Sequence, residues 1–237
     1  MLDALLIFAK APEPGKTKTR LLSHLSAPFA ARIQEAMTND ILRVTAQLKV
    51  NRYVLAAPSG RHPYFKEIAA RFALPCLDQV GVALGERMES AFQHSFKEGF
   101  QKVVIIGTDS PTLPIALIDE GFRRLEDVPV VLGPSADGGY YLIGLRAPVP
   151  GIFDGIAWGT ERVLARSLEI LKAQKIDHAL LPPWRDLDRP EELYPLLGEI
   201  ESLRRLGKSY PEETYRLLSS LLENAVGPYQ RAAVETE

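Results

Sequence analysis

The stretch Leu5-Leu-Ile-Phe-Ala-Lys-Ala-Pro-Glu-Pro-Gly-Lys-Thr-Lys-Thr-Arg20 decides how the rest of the chain is read. Its first five residues are an apolar run of strand length. That run leads into a loop stiffened by Pro12 and Pro14 and turned at Gly15. Lys10, Lys16, Lys18 and Arg20 set four positive charges within eleven residues. Such charges repel one another, so the loop is either a solvated basic turn or a receptor for an anion, above all for phosphate groups. Position favours the anion, because ligands of open α/β sheets gather at the carboxyl ends of strands and this loop leaves one.

Outward from that strand, apolar runs recur at 52–57, 73–77, 102–107, 128–132, 140–145 and 179–181. Between them lie helical patterns at 30–49, 64–72, 86–99, 117–125, 161–175 and 191–206. This alternation predicts an α/β protein, a three-layer α/β/α sandwich around a mostly parallel mixed sheet. In the first helix Ile33, Met37, Ile41, Val44 and Leu48 make one stripe and read as core. A last helix over 212–224 starts after Tyr210-Pro211 and carries Leu217, Leu218, Leu221 and Leu222. It is expected to close the sheet, with a dimer contact as the alternative. One domain is expected over 1–227, with a flexible tail over 228–237.

Composition narrows the partners. With 46% apolar and 24% charged residues the chain matches an ordinary globular protein. A net charge of -2 offers no polybasic face, so nucleic acid is not an expected partner. Cys76 is the only cysteine, which excludes an internal disulfide and a thiolate zinc site and fits a reducing cytoplasm. The first apolar run is too short to span a bilayer and no cleavage pattern comes after it, so no membrane partner is expected. A monomer or a homodimer is expected.

Three further segments carry chemistry. In Lys102-Val-Val-Ile-Ile-Gly-Thr-Asp-Ser-Pro111 an apolar strand ends in a turn that presents Asp109 at its carboxyl edge, either as a metal-binding carboxylate or as a turn cap. In Arg185-Asp-Leu-Asp-Arg-Pro190, Asp186 and Asp188 point the same way if the segment is extended. Pro190 favours the first helical position, so Asp188 either binds a cation or caps that helix in place of Arg189. In Gly133-Pro-Ser-Ala-Asp-Gly-Gly-Tyr-Tyr141, Asp137 and two glycines stand between strands, as a plain hairpin turn or as a loop that binds an acceptor molecule. Carboxylates from separate loops facing a cationic loop suit Mg2+ or Mn2+ bridging a diphosphate. The four histidines are scattered and support no zinc site. Gly15-Lys16-Thr17 mimics the end of a P-loop, but Lys10 stands where that motif needs its first glycine.

As a set, these segments resemble the nucleotide-diphospho-sugar transferase superfamily, with its GT-A, Rossmann-like fold. The set is Phe8-Ala-Lys-Ala-Pro12, Gly15-Lys-Thr-Lys-Thr-Arg-Leu21, Leu84-Gly-Glu-Arg-Met88, Gly107-Thr-Asp-Ser-Pro111, Gly133 to Tyr140, and Asp186-Leu-Asp188. Within the superfamily the chain is most similar to a bacterial group of radical-SAM/selenodomain-associated, glycosyltransferase-like transferases. It is more distantly similar to 2-phospho-L-lactate and molybdenum cofactor guanylyltransferases. The resemblance implies that a nucleotide or nucleotide-sugar donor and a small acceptor meet at a metal held by Asp109, Asp188 and Asp186. Asp109, Asp188 and Lys18 would be catalytic. Lys10, Gly15, Lys16, Lys18, Arg20 and Thr108 would hold the donor's phosphates, and Gly85, Glu86 and Arg87 its base or sugar. Asp137, Gly138, Gly139, Tyr140 and Tyr141 would face the acceptor. Glycosyl transfer, nucleotidyl transfer to a phosphorylated acceptor and a non-catalytic nucleotide-binding module all remain open. Ala83 and Arg189 depart from the group, which commonly has an acidic residue and a threonine there.

Overall fold

A computed structural model describes residues 2–225; the tail expected over 228–237 lies outside the described residues. The strands are β1 (Asp3–Lys10), β2 (Asn51–Ala57), β3 (Cys76–Asp78), β4 (Lys102–Ile106), β5 (Val130–Pro134), β6 (Tyr140–Leu145) and β7 (His178–Leu180). They form one sheet in the order β3-β2-β1-β4-β6-β5-β7. β6 runs antiparallel to both β4 and β5, while the pairs β1–β2, β1–β4, β2–β3 and β5–β7 are parallel. The chain steps outward from β1 to β3, then returns to the other side of β1 as β4. That reversal makes the carboxyl ends of β1 and β4 the switch point where a crevice opens.

Side-chain alternation along β1 divides the layers. Leu5, Ile7 and Ala9 join one core with helices α1 (Ala27–Thr45), α2 (Pro63–Phe72) and α4 (Ile115–Arg124). Ala4 and Leu6 join the opposite core with α3 (Leu84–Lys97) and α5 (Val163–Ala173). Period-two alternation on a strand buried on both faces produces this split directly. β3 begins later than the 73–77 run suggests. Ala73 ends α2 in the left-handed region at φ 50° and Pro75 has no N–H to give a ladder, so the strand starts at Cys76.

The single stripe read on α1 divides between two clusters. Ile41 packs on the sheet, whereas Ile33 and Met37 face α6 (Leu193–Arg205) and α7 (Glu212–Ala225). The helix ends at Thr45, so Leu48 lies in the turn beyond it. The last helix also departs from expectation, because it closes this helical cluster, through Leu217 and Leu218, and not the sheet. Polar contacts fix it there. Asp40 of α1 accepts from the Glu213 and Thr214 amides at 3.2 and 2.8 Å, and Glu213 takes Asn39 and the Arg43 and Arg71 guanidiniums. Burial leaves the Asp40 carboxyl raised above its usual range despite those amides. No helix of the described residues is long and apolar enough to cross a membrane.

Candidate active-site cleft

At the carboxyl edge of the sheet the loops after β1, β4 and β7 and the β5–β6 hairpin surround a cleft of ≈ 340 Å³. Asp109, Asp137, Asp186 and Asp188 line it together with Arg20, and Leu84, Met88 and Trp158 form its apolar wall. Arg20 and Asp188, 168 positions apart in sequence, are thereby brought together at its rim.

The seam between the first and last of these loops is a buried ion pair. Lys18, in the left-handed region at φ 48°, sends its ammonium to Asp109 Oδ1 and to the Leu187 carbonyl, each at 2.5 Å. Its side chain is sealed from solvent while the Asp109 carboxylate stays half exposed towards the cleft. The Leu187 amide donates to the Asp109 carbonyl at 2.8 Å, and the Leu187 side chain is fully buried among α1, α6 and α7. With Leu187 turned inward, its neighbours Asp186 and Asp188 both reach the cleft. Asp188 pairs with the Arg20 guanidinium. It does not cap the following helix; Glu192 accepts from the Asp188 and Arg189 amides instead, at 2.6 and 2.7 Å. Arg189 holds the N-cap slot without a side-chain bond.

Several residues of the expected phosphate loop are used by the fold. Lys10 Nζ donates to the Lys16 carbonyl at 2.6 Å and staples the loop. Lys16 is exposed beside Glu13 at 3.4 Å, and Gly15 turns the chain at φ 77° with open space around it. Thr108 is buried, its hydroxyl accepting from Gln34 Nε2 at 2.9 Å, so it faces α1 and not the cleft. Arg20 is the one basic residue of the loop that lines the cleft. Glu86 accepts from the Val82 and Ala83 amides, and Arg87 donates to the Gly81 and Val82 carbonyls. Both side chains shape the loop before α3, and only Leu84 and Met88 of that motif reach the cleft.

The hairpin side is better exposed. Asp137 Oδ1 accepts from the Gly139 amide at 2.9 Å, a turn closed by its own aspartate. Gly138 sits at φ 87° with its α-carbon against the Glu161 backbone, off the cleft lining. The Tyr140 ring lines the cleft while its hydroxyl is buried near Ser167 with no close partner, and burial raises its pKa. Tyr141 lies over Gly133 and donates to the Pro182 carbonyl at 3.0 Å; burial pushes its hydroxyl up to about 12.

Asp186 accepts from Ser135 Oγ at 3.1 Å. Burial first, and then the Asp137 charge, push its carboxyl up to about 6. The proton is thus held more tightly in the folded chain than in the unfolded one. The fold must lose stability as pH rises from the ordinary carboxylate range to about 6, and stay level above that. Asp186→Asn is expected to raise Tm at pH 8 and leave it nearly unchanged at pH 4, a contrast that thermal melts at both pH values would read out.

Sequence reasoning missed Trp158, Gly159 and Thr160, which also line the cleft. The one signal for them was a tryptophan inside the turn-rich stretch from Gly151 to Gly159.

Known proteins agree with this architecture. Residues 40–160 match the family described as "Uncharacterized protein conserved in bacteria (DUF2064)". A crystal structure from Desulfovibrio desulfuricans G20, provisionally named a nucleotide-diphospho-sugar transferase, is 32% identical with a TM-score of 0.81, covering 92% of this chain and 94% of that one. A cytidylyltransferase from Leptospira borgpetersenii serovar Hardjo-bovis is similar in fold at 16% identity and TM-score 0.57, covering 95% of each chain. So is glucosyl-3-phosphoglycerate synthase from Mycobacterium tuberculosis, solved with Mn2+ and UDP, at 11% identity and TM-score 0.51, covering 87% of this chain and 80% of that one. No curated protein matches the chain in sequence. With half of its length under one family model and a close full-length structural relative, the chain belongs to the DUF2064 family, built on the nucleotide-diphospho-sugar transferase fold.

Proposed function

We propose that the chain is a cytoplasmic, metal-dependent transferase that takes a nucleotide sugar as donor and passes its glycosyl group to a hydroxyl of a small acceptor. The observation that carries this reading is the cleft at the switch point, with carboxylates from three loops, one cationic side chain and an apolar wall. The donor set suits a hard divalent cation, since Asp109, Asp186 and Asp188 offer oxygen only. Among the described residues no three acidic, histidine or cysteine side chains enclose a metal by themselves. Mg2+ is commonly held that way, by one or two carboxylates together with substrate phosphates. Asp109 and Asp188 are the proposed ligands, and the ion would supply stabilisation of charge on the departing phosphate oxygens.

The protein's own residues divide the remaining work. Arg20 meets the donor's phosphates, while Lys16 stays at the loop's outer side beside Glu13. Lys18 orients Asp109 from behind and does not touch ligand. In the transfer the acceptor oxygen forms the new bond to the anomeric carbon. The bond to the nucleoside diphosphate breaks with its electron pair, and the acceptor's proton passes to the Asp137 and Asp186 pair.

The test is a thermal-shift panel of nucleoside triphosphates, diphosphates and nucleotide sugars, each with and without Mg2+ or Mn2+. A ligand at a hundred times its Kd should stabilise by about 2.7 kcal/mol. A metal-dependent shift with one nucleotide sugar, lost in Asp109→Ala, is the expected result. A shift with CTP or GTP but with no nucleotide sugar would replace glycosyl by nucleotidyl transfer. A shift indifferent to Asp109→Ala would mark a binding module, and no shift at all would remove the nucleotide reading.

A further inference from the structure

The strap between β6 and α5 bridges the two halves of the cleft. On one side the Trp158 indole lies against Gly85, where a Cβ would stand 2.9 Å from Nε1 and 3.0 Å from the ring. On the other side Glu161 packs on Gly138, and the Leu164 amide donates to the Gly138 carbonyl at 2.9 Å. The indole is flanked by the tilted ring of Phe153 and the perpendicular ring of Tyr140, each with ring centroids 6.3 Å away. It is only half buried, and it lines the cleft. Its N–H donates to no protein group among the described residues, whereas the other tryptophan, Trp184, donates to Thr112 at 3.2 Å.

The polar groups that share the cleft with this ring are unusual in charge. Asp109 and Asp188 are paired with Lys18 and Arg20, but Asp137 and Asp186 have no cationic partner among the described residues. Their bonds are to one amide and one hydroxyl. Ionised carboxylates are acceptors only, so the matching ligand donates hydrogen bonds. An anion would be repelled there. A simple cation would answer the carboxylates but leave the indole N–H without an acceptor. A polyhydroxylated ring answers all three features: C–H groups on its face lie flat on an aromatic surface, its hydroxyls donate to carboxylates, and their oxygens accept from the indole.

We propose that Trp158 is a substrate-contacting residue and that the acceptor is a polyhydroxylated ring, a sugar or a cyclitol, stacked on its indole with hydroxyls donated to Asp137 and Asp186. This rests on the transferase reading only for the word acceptor; the ring site stands on the cleft itself. Gly85 is then a specificity device, because the missing side chain is what lets the indole lie in that plane.

The experiment is calorimetric titration of the full chain with D-glucose, D-mannose and myo-inositol, with and without UDP and Mg2+. Tetramethylammonium serves as the cationic comparison, and UDP with Mg2+ alone as the nucleotide control. At least one polyol is expected to bind the wild type and to perturb tryptophan fluorescence. An aromatic contact of this kind corresponds to about a tenfold loss of affinity in Trp158→Ala and a smaller loss in Trp158→Phe. Gly85→Ala, which shifts the ring without removing it, should weaken the same ligand, so the test survives if Trp158→Ala does not fold. Asp137→Asn and Asp186→Asn should each weaken it too, and the UDP affinity should hold in Trp158→Ala and Trp158→Phe. The proposal is overturned if no polyol binds the wild type, or if folded Trp158→Ala binds the polyol unchanged. It is equally overturned if Trp158→Ala weakens UDP instead, which would give the platform to the base, or if tetramethylammonium alone binds. A polyol that binds where no nucleotide does would remove the transferase reading and leave this one standing.

Discussion

Replacing Lys18 by methionine is expected to destabilise the chain and to weaken metal-dependent nucleotide binding together. The ammonium is the buried link between the loop after β1, the turn after β4 and the Leu187 carbonyl. Methionine fills most of the volume but leaves that carbonyl without a donor, at a cost of about 1–3 kcal/mol. Asp109 is half exposed and can regain water, which keeps the penalty below the full value for a broken buried pair. Its carboxylate would nevertheless lose the group that aims it. A displaced charge-assisted contact of about 1.5–3 kcal/mol corresponds to a loss of roughly ten- to hundredfold in Kd. Urea denaturation measures the first effect and titration with nucleotide and Mg2+ the second. A variant that lost stability but kept its nucleotide affinity would reduce Lys18 to a structural clamp.

Gly138→Ala, behind the cleft where the hairpin meets the strap, is expected to be a severely damaging small substitution. An added Cβ would stand 2.2 Å from the Glu161 carbonyl oxygen and 2.5 Å from its α-carbon, backbone atoms that no rotamer change can move. The residue also sits at φ 87°, where a side chain is strained whatever the space. Left-handed strain of about 1–2 kcal/mol and an overpacking cost of about 1–3 kcal/mol add to a loss of about 2–5 kcal/mol. Chemical denaturation checks the magnitude. Gly15→Ala is the control, since Gly15 shares the positive φ but has nothing within 4 Å of a Cβ, so it should show the backbone strain alone. Equal losses in the two variants would mean that the strap yields and that Gly138 is not a tight contact.

The layered fold was legible because its signals are local. Apolar runs on both faces of β1, β4 and β6 and the helical spacings between them depend only on period. The positions of Asp109, Asp137, Asp186 and Asp188 at one rim were legible for a similar reason, since each follows or precedes a strand end. What could not be read was direction. Nothing in Lys16-Thr-Lys18 says that one lysine stays in water while the other turns behind a carboxylate. That depends on Leu187 being drawn into the α1–α6–α7 cluster, a contact between residues 169 positions apart. The same holds for Glu86 and Arg87, whose charges suggest a ligand but whose partners are the amides and carbonyls of their own loop. Trp158 escaped because a lone aromatic in a turn-rich stretch has no period to betray its partner. The division of the α1 stripe was hidden too, since a helix wheel shows which face is apolar but not how many bodies share it.

Leu187 also sets a limit on when and from what the cleft can be assembled. One residue is hydrogen-bonded both to Lys18, near the beginning of the chain, and to the turn at Asp109. During synthesis the sheet through β6 can form while Asp109 still lacks the far wall, and the seam closes only once residues 185–188 have left the ribosome. The stretch 40–160 by which the family is recognised contains Asp109 and Asp137 but none of Lys18, Arg20, Asp186 or Asp188. That stretch is a unit of ancestry and not of chemistry: expressed by itself it would hold half of a rim, with two of the cleft's four carboxylates and neither Lys18 nor Arg20, the cations that pair with Asp109 and Asp188.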